Sequence, residues 1–353
     1  MRASDFYELV SGKRRGLGAA LVRALLRAAE TPYALAMRAR NLAYDLHYRP
    51  SRHVDVPVIS VGNLTLGGTG KTPLVAWIAR WLRAHEVRVA LVSRGYGATA
   101  DALNDEALEL QDRLADVPHL QNADRAAAAQ FAIDEFDCQA IVLDDGFQHR
   151  RLARDLDIVL LDACEPFGYG HVFPRGTLRE PLSGLRRAQV VILTRADMAD
   201  VARRDAVRQR VLRYAPDADW AEVVHAPRRL LNAAAQTAPL ALVAGARVAA
   251  FCGLGNPAGF RHSLQQCGAQ LVGFREFPDH HPYERSDVEE LAAWIRSLDV
   301  QWVVCTHKDL VKLRLERLGE QPLWALEIEI DFLAGLDELE GQLAALLPIG
   351  EPG

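Results

Sequence analysis

No CxxC pair occurs anywhere in the 353-residue chain, and its five cysteines, Cys138, Cys164, Cys252, Cys267 and Cys305, are widely spaced. That spacing argues against a zinc site and against a disulfide framework, and it suits a reducing cytosol. No uncharged apolar run reaches the roughly 18 residues that a membrane-spanning helix needs. Arginines interrupt each apolar stretch near the N-terminus, so that segment does not read as a cleavable signal. An excess of basic charge is also missing. The formal net charge is −5, which gives a nucleic-acid partner no general electrostatic support. There is no internal repeat and no low-complexity segment beyond alanine richness. What remains is a composition half hydrophobic and a quarter charged, that of a globular protein with one large domain or two ordinary ones.

Charge is unevenly distributed along this chain. Residues 1–53 hold ten Lys and Arg against four Asp and Glu, a basic arm before an acidic body. Leu17, Leu21, Leu25 and Leu26 share one helical face, with Arg23 and Arg27 off it. Thr31–Pro32 reads as an N-cap followed by Pro at the first helical position, so the spacing predicts a second helix running to about His47. Such a basic amphipathic pair either packs on its own domain, as amphipathic helices usually do, or lies in a membrane interface with arginines on anionic headgroups.

From residue 54 short apolar runs alternate with amphipathic segments. The runs are 57–61, 89–93, 141–144, 158–162 and 190–194, with helical patterns between most of them, as at 74–84 and 123–136. That alternation predicts an α/β fold with a mostly parallel sheet and helices on both faces. A second series of strands, 248–252, 270–274, 302–306 and 323–330, encloses helical patterns at 257–267 and 286–298. The weakly patterned "LNAAAQTAPLALVAGA" before it marks a joint. The expected organisation is therefore an arm (1–53), a nucleotide-binding domain (54–246) and a smaller α/β domain (247–353).

"GGTGKT", Gly67 to Thr72, follows a strand and opens a helix, the context of a P-loop. Gly67, Gly68 and Gly70 let the backbone N–H groups around Thr69 turn inward on phosphates, and the helix N-terminus adds partial positive charge. Lys71 would reach the β- and γ-phosphates of ATP, and the Thr72 hydroxyl would ligate Mg²⁺. The usual pattern has Gly where this chain has Thr65, so the Gly67–Gly68 pair makes this a deviant form of the loop. In "AIVLDDGFQHRRL" four apolar residues end in Asp144 and Asp145. A carboxylate at the C-terminal end of a strand beside the P-loop strand secures the metal, and Asp144, Asp145 or both could serve.

A kinase also wants a base for its acceptor, whereas a switch NTPase positions water. "LNDEALEL" offers Asp105 and Glu106, and "FPDHHPY" offers Asp279, His280 and His281. Because Asp105 follows the strand at 89–93, it should emerge on the sheet edge that carries the P-loop.

In these segments and others the chain resembles the tetraacyldisaccharide 4′-kinases of lipid A biosynthesis. The similarity runs in order through "VPVISVGNLTLGGTGKTP", "VALVSRGYG", "NDEA", "IVLDDGFQHRRLARDLDIVLLD", "GTLREPLSGLRRA", "FCGLGNPAGF", "FPDHHPY" and "THKDLVKL". The resemblance implies transfer of the γ-phosphoryl of ATP to the 4′-hydroxyl of a tetraacylated glucosamine disaccharide 1-phosphate. It implies Asp105 as the base that takes the hydroxyl proton and His280 as the group that orients it. It carries over Arg94, Tyr96, Gln148, His149, Arg179 and Glu180 as residues of the acceptor's cleft, arginine being a natural reader of the 1-phosphate. It also implies a peripheral, monotopic protein on the cytoplasmic face of the inner membrane, anchored by residues 1–50, with a lipid substrate and no obligate protein partner. His280 would come from the second domain and Asp105 from the first, joined by domain closure. The sequence departs from the family at Asn104, usually Gly, at Ala107, usually Pro, and at His307, usually Glu, so Lys308 and Asp309 stay outside the expected catalytic set. Two rival readings are a partition-type or switch ATPase acting with a protein partner, and a soluble small-molecule kinase whose arm is merely structural.

Overall fold

A computed structural model describes residues 3–95 and 105–347 of the chain. Helix α1 spans Ala3–Val10 and α2 spans Leu17–Asp45, a single helix that runs straight through Pro32. The break expected at Thr31–Pro32 is absent. Proline there removes one hydrogen bond to the carbonyl of Ala28, but side-chain contacts beyond it hold the helix to the body. At about 100° per residue, Glu30, Tyr33, Met37, Asn41 and Tyr44 form one stripe, and Asn41 and Tyr44 are buried. Leu17, Leu21, Leu25, Leu35, Leu42 and Leu46 lie on the opposite side and are exposed, Leu17 by 86%. The face that sequence patterning would turn to a core therefore faces out.

The described residues divide into two compact units, one made of 3–95, 115–224 and 332–347 and the other of 105–114 and 225–331, whereas the sequence suggests a single joint near 246. The first unit holds strands β1 (Val58–Asn63), β2 (Val89–Ser93), β3 (His119–Gln121), β4 (Ala140–Asp144), β5 (Leu156–Asp162), β6 (Val190–Thr194) and the start of β7 (Asp219–Leu231). They are parallel in the order β7-β6-β5-β1-β4-β2-β3. Strands β1, β2, β4, β5 and β6 are buried along their whole length, the continuous apolar pattern of strands covered on both faces. The chain leaves β1 for β2 on one side, while β5 lies on the other, so the C-terminal end of β1 is a switch point where such sheets bind ligands. Helices α3 (Lys71–Ala84), α5 (Arg125–Phe136) and α6 (Val201–Leu212) fall between the strands. Alanines of α5 pack with Ala90 and Ile141 in one cluster, and Val207 and Val211 of α6 pack with Val191 and Leu193 in another.

The second unit holds α4 (Asp105–Arg113), the short β8 (Thr237–Ala238), β9 (Arg247–Cys252), α7 (Pro257–Gln266), β10 (Gln270–Glu276), α8 (Arg285–Arg296), β11 (Trp302–Thr306), α9 (His307–Leu313), the short β12 (Arg317–Leu318) and most of β13 (Gln321–Ala334). Strands β10-β9-β11-β13 are parallel neighbours. The period-2 alternation of β9 separates its two faces: Ala249 and Phe251 pack with Leu291 and Ile295 of α8, while Val248, Ala250 and Cys252 pack with Phe260 and Leu264 of α7. The last helix, α10 (Leu336–Ala344), returns to the first unit, where Glu340 accepts a hydrogen bond from Trp81 Nε1 at 3.0 Å.

Candidate active site

In the first unit the site begins where β1 ends. Gly67 and Gly70 have φ of 111° and 84°, backbone that favours glycine, and α3 opens directly at Lys71. The loop is braced from below. Asn63 Nδ2 donates to Thr69 Oγ1 at 3.0 Å, Thr194 Oγ1 donates to the Thr69 carbonyl at 2.8 Å, and the Arg195 guanidinium donates to the Gly68 carbonyl at 3.2 Å. Sequence reasoning passed over these three. Each stands at or just after a strand end, and that position was their only signal.

Lys71 is buried, and its Nζ lies 3.5 Å from Asp145 Oδ1. Asp145 follows the end of β4 in left-handed backbone, φ 51°, and receives Arg179 Nη1 on both carboxylate oxygens at 2.8 Å. Burial pushes the Asp145 carboxyl up, but the charges of Lys71, Arg179 and Arg125 outweigh that and hold it well below the usual carboxylate range. Asp144 is buried at the last position of β4. Thr72, Asp144 and Asp145 are hard oxygen donors, and Mg²⁺ commonly takes one or two carboxylates together with phosphate oxygens, so the donor set fits that ion.

Beside these carboxylates several of the residues expected on the acceptor side form a network. Gln148 Nε2 donates to the Asn63 carbonyl and to Glu180 Oε1, both at 3.0 Å. Glu180 is fully buried and is paired by Arg187 at 2.8 Å and by Asn41 Nδ2 at 2.6 Å. Glu180 therefore acts as a strut rather than as a ligand-facing carboxylate. His149 is pulled down to about 4 by burial and by Arg125, Arg154, Arg151 and Arg40, so its imidazole is neutral near pH 7, and its Nε2 is buried without a hydrogen-bond partner among the described residues. Arg94 is exposed at the end of β2, close enough for its charge to reach Arg125. Tyr96 lies outside the described residues.

Helix α2 is wired into this network. Tyr33 Oη donates to the Arg179 carbonyl at 3.0 Å, Arg40 Nη2 donates to the Gln148 carbonyl at 2.7 Å, and Asp45 pairs with Arg150 at 2.9 Å. Glu30 accepts from the Val172 amide at 2.8 Å. The inner stripe thus buttresses the segments that carry Gln148, Arg179 and Glu180, while the leucines face away.

Asp105 is not grouped with the P-loop sheet, contrary to the expectation drawn from its position after β2. It opens α4 in the second unit, because α4 packs on α9, where Asp112 pairs with His307 Nε2 at 2.6 Å, and on β13, where Arg113 Nη1 donates to the Ile328 carbonyl at 2.9 Å. There Asp105 Oδ2 meets His280 Nδ1 at 3.1 Å and Lys312 Nζ at 2.5 Å. His280 sits in left-handed backbone, φ 60°, in the turn after β10. The expected base and its orienting histidine are therefore assembled inside one unit, and no domain closure is needed to form that pair. Its neighbour His281 faces elsewhere, bonding Asp287 Oδ2 at 2.9 Å, which separates the two adjacent histidines. Burial pushes the Asp105 carboxyl up, but hydrogen bonds from His280 and Lys312 and the charges of Lys312 and Lys308 prevail and set it at about 2.

A family model described as tetraacyldisaccharide-1-P 4′-kinase matches residues 22–347. A tetraacyldisaccharide 4′-kinase from Anaeromyxobacter sp. (strain K) is 41% identical over 354 residues, covering 95% of this chain and 93% of the relative. One from Halothermothrix orenii is 34% identical over 367 residues, covering 95% of each. The crystal structure of LpxK from Aquifex aeolicus in complex with ATP aligns with a TM-score of 0.74 at 28% identity, covering 93% of this chain and all of that one. The chain belongs to the tetraacyldisaccharide 4′-kinase family.

Proposed function

We propose that the family's reaction, transfer of the γ-phosphoryl of ATP to the 4′-hydroxyl of a tetraacyldisaccharide 1-phosphate, is carried by two sets of residues in this chain. The P-loop residues 67–72 would bind the triphosphate, Lys71 leaving Asp145 to reach the β- and γ-phosphates. Mg²⁺, held through Thr72 with Asp144 or Asp145, would offset charge on the transferred group. Asp105 would take the hydroxyl proton, with His280 holding its carboxylate in place. Arg94, Tyr96, Gln148 and His149 would line the acceptor side, where the arginines around His149 favour an anionic lipid head. Transfer requires Asp105 and the phosphate loop to serve one substrate during turnover.

The observation that carries this reading is the contact between His280 Nδ1 and Asp105 Oδ2 at 3.1 Å. A switch ATPase has no use for such a pair, and family membership also leaves the partition-type reading without support. The test is incubation with labelled ATP, Mg²⁺ and the disaccharide lipid in detergent. Label should move to the lipid fraction; ATP hydrolysis with an unlabelled lipid would refute the proposal.

Among the described residues no helix is long and apolar enough to cross a membrane. The exposed leucines of α2, flanked by the exposed Arg27 and Arg38, support an interfacial helix on the cytoplasmic face of the inner membrane, its leucines in the acyl layer. Two perturbations separate its faces. Leu21→Glu with Leu25→Glu should abolish co-sedimentation with anionic vesicles yet leave turnover on detergent-dispersed lipid within about threefold, because neither leucine touches the site network. Deleting residues 3–45 should lose both, since it leaves Glu180 and the Arg179 carbonyl without Asn41 and Tyr33. Unchanged vesicle binding by the double variant would favour a merely structural arm.

A further inference from the structure

Lys312 has no role in the expected catalytic set, yet it is a close partner of Asp105. Its side chain is 9% exposed, and its ammonium lies 2.5 Å from Asp105 Oδ2 and 3.2 Å from the His281 carbonyl. One turn earlier on the same face of α9, Lys308 Nζ pairs with Asp279 Oδ1 at 3.0 Å. The helix that presents both lysines is itself pinned. Asp309 is buried and accepts from Thr306 Oγ1 at 2.6 Å, from Tyr283 Oη at 3.0 Å and from the Gly253 amide at 3.1 Å. A long flexible side chain on a fixed helix, ending on one carboxylate oxygen and one carbonyl, has lost the freedom that an exposed lysine keeps.

We infer that Lys312 is a positioning residue for phosphoryl transfer, holding Oδ2 of Asp105 together with His280 so that Oδ1 is the oxygen left to receive the acceptor's proton. This rests on the reading of Asp105 as the base. Both described contacts of the carboxylate, from His280 Nδ1 and from Lys312 Nζ, fall on Oδ2. Two donors on one oxygen fix the carboxylate's rotation, which a single histidine hydrogen bond does not. The cation also makes Asp105 a weaker base. A loose transition state asks little of base strength, because the acceptor oxygen becomes acidic only as it bonds to phosphorus, and so an oriented weak base serves. The titratable and charged groups around Asp105 among the described residues are His280 and Asp279 from the turn after β10, Lys308 and Lys312 from α9, and Glu106 from its own helix. Removing Lys312 leaves that cluster one positive charge short.

The test uses the full chain with Lys312→Met, Lys312→Gln and Lys312→Arg, assayed on the disaccharide lipid across pH, with Asp105→Asn in parallel. Lys312→Met should lower kcat by roughly 10–100-fold with KM for ATP within about twofold. The acid limb of kcat/KM should move up by at least about one unit, toward or above the ordinary carboxylate value. Lys312→Gln should show the same shift, which covers the case in which the methionine variant fails to fold. Lys312→Arg should keep the acid limb in place and recover most of kcat. A structural role would lower the rate and leave the acid limb where it was, and that result overturns the inference, as does a wild-type rate in Lys312→Met. If Asp105→Asn is inactive while Lys312→Met behaves as wild type, only this inference falls. If Asp105→Asn keeps its rate, the assignment of the base falls first and this inference with it.

Discussion

Asp105→Asn should lower transfer to the lipid hydroxyl by roughly 10²–10⁴-fold, the range a positioned general base contributes, while ATP still binds. The amide matches the carboxylate in size and still accepts at its oxygen, so α4 should keep its packing. What it cannot do is take a proton. His280→Ala should also lower kcat with little change in ATP affinity. Its loss should be smaller than that of Asp105→Asn, because Lys312 still grips Oδ2. Neither residue belongs to the unit that holds the P-loop, so equal losses in turnover and nucleotide binding would count against both roles. Stability offers a second check. A carboxyl held at about 2 in the folded chain, against about 3.9 when unfolded, stabilises the fold above the unfolded value, and that contribution disappears as pH falls from about 4 toward 2. The Asn variant lacks it, so thermal melting of the variant should be less sensitive to pH in that window.

The parts of this molecule that could be read from its sequence are those specified by local patterns. Gly67, Gly70 and Lys71 follow a short apolar run and precede an amphipathic one, and the structure sets them in a strand, a positive-φ loop and a helix start. Buried strands announce themselves as runs of Val, Ile and Leu because both faces are covered. The contacts between elements distant in sequence were not legible. Asp105 comes after β2, yet α4 belongs with α9 and β13, a partnership made by Asp112 with His307 of α9 and by Arg113 with the Ile328 carbonyl of β13. No periodicity in residues 105–113 names such a partner. The stripe Glu30, Tyr33, Asn41 and Tyr44 was hidden for a different reason: leucines dominate any apolar count on α2, so hydrophobicity selects the wrong face as the inner one. Lys308 and Lys312 did leave a trace, four residues apart on one helix face. That spacing becomes meaningful only when Asp279 and Asp105 are seen to receive them.

Lys71→Met should cost at least about 10³-fold in kcat, and its effect on folding should be much smaller. The reason lies in what Lys71 contacts in the fold. Its ammonium is 3.5 Å from Asp145, a longer contact than the 2.8 Å bonds that Arg179 makes to the same carboxylate. Removing one member of a buried ion pair destabilises by roughly 3–5 kcal/mol when the other charge is left alone. Asp145 would not be left alone: Arg179 still holds both oxygens, and the carboxylate side chain is 35% exposed. The cost should therefore fall well below that range, and part of it should appear as a rise in the Asp145 carboxyl from its depressed position. Since a depressed carboxyl stabilises the fold above its unfolded value and loses that contribution as pH falls, the methionine variant should show its largest deficit in melting temperature near neutral pH and converge on the parent in acid. Catalysis has no such reserve. The γ-phosphoryl group carries its charge into the transition state, and Arg179, already committed to Asp145, cannot replace a lysine that opens α3 at the proposed phosphate site. A variant that melts modestly below the parent at neutral pH and like it in acid, binds ATP weakly and transfers no label to lipid would fit this account. One that keeps its turnover would mean that the loop from Gly67 to Thr72 does not hold the phosphates during the reaction.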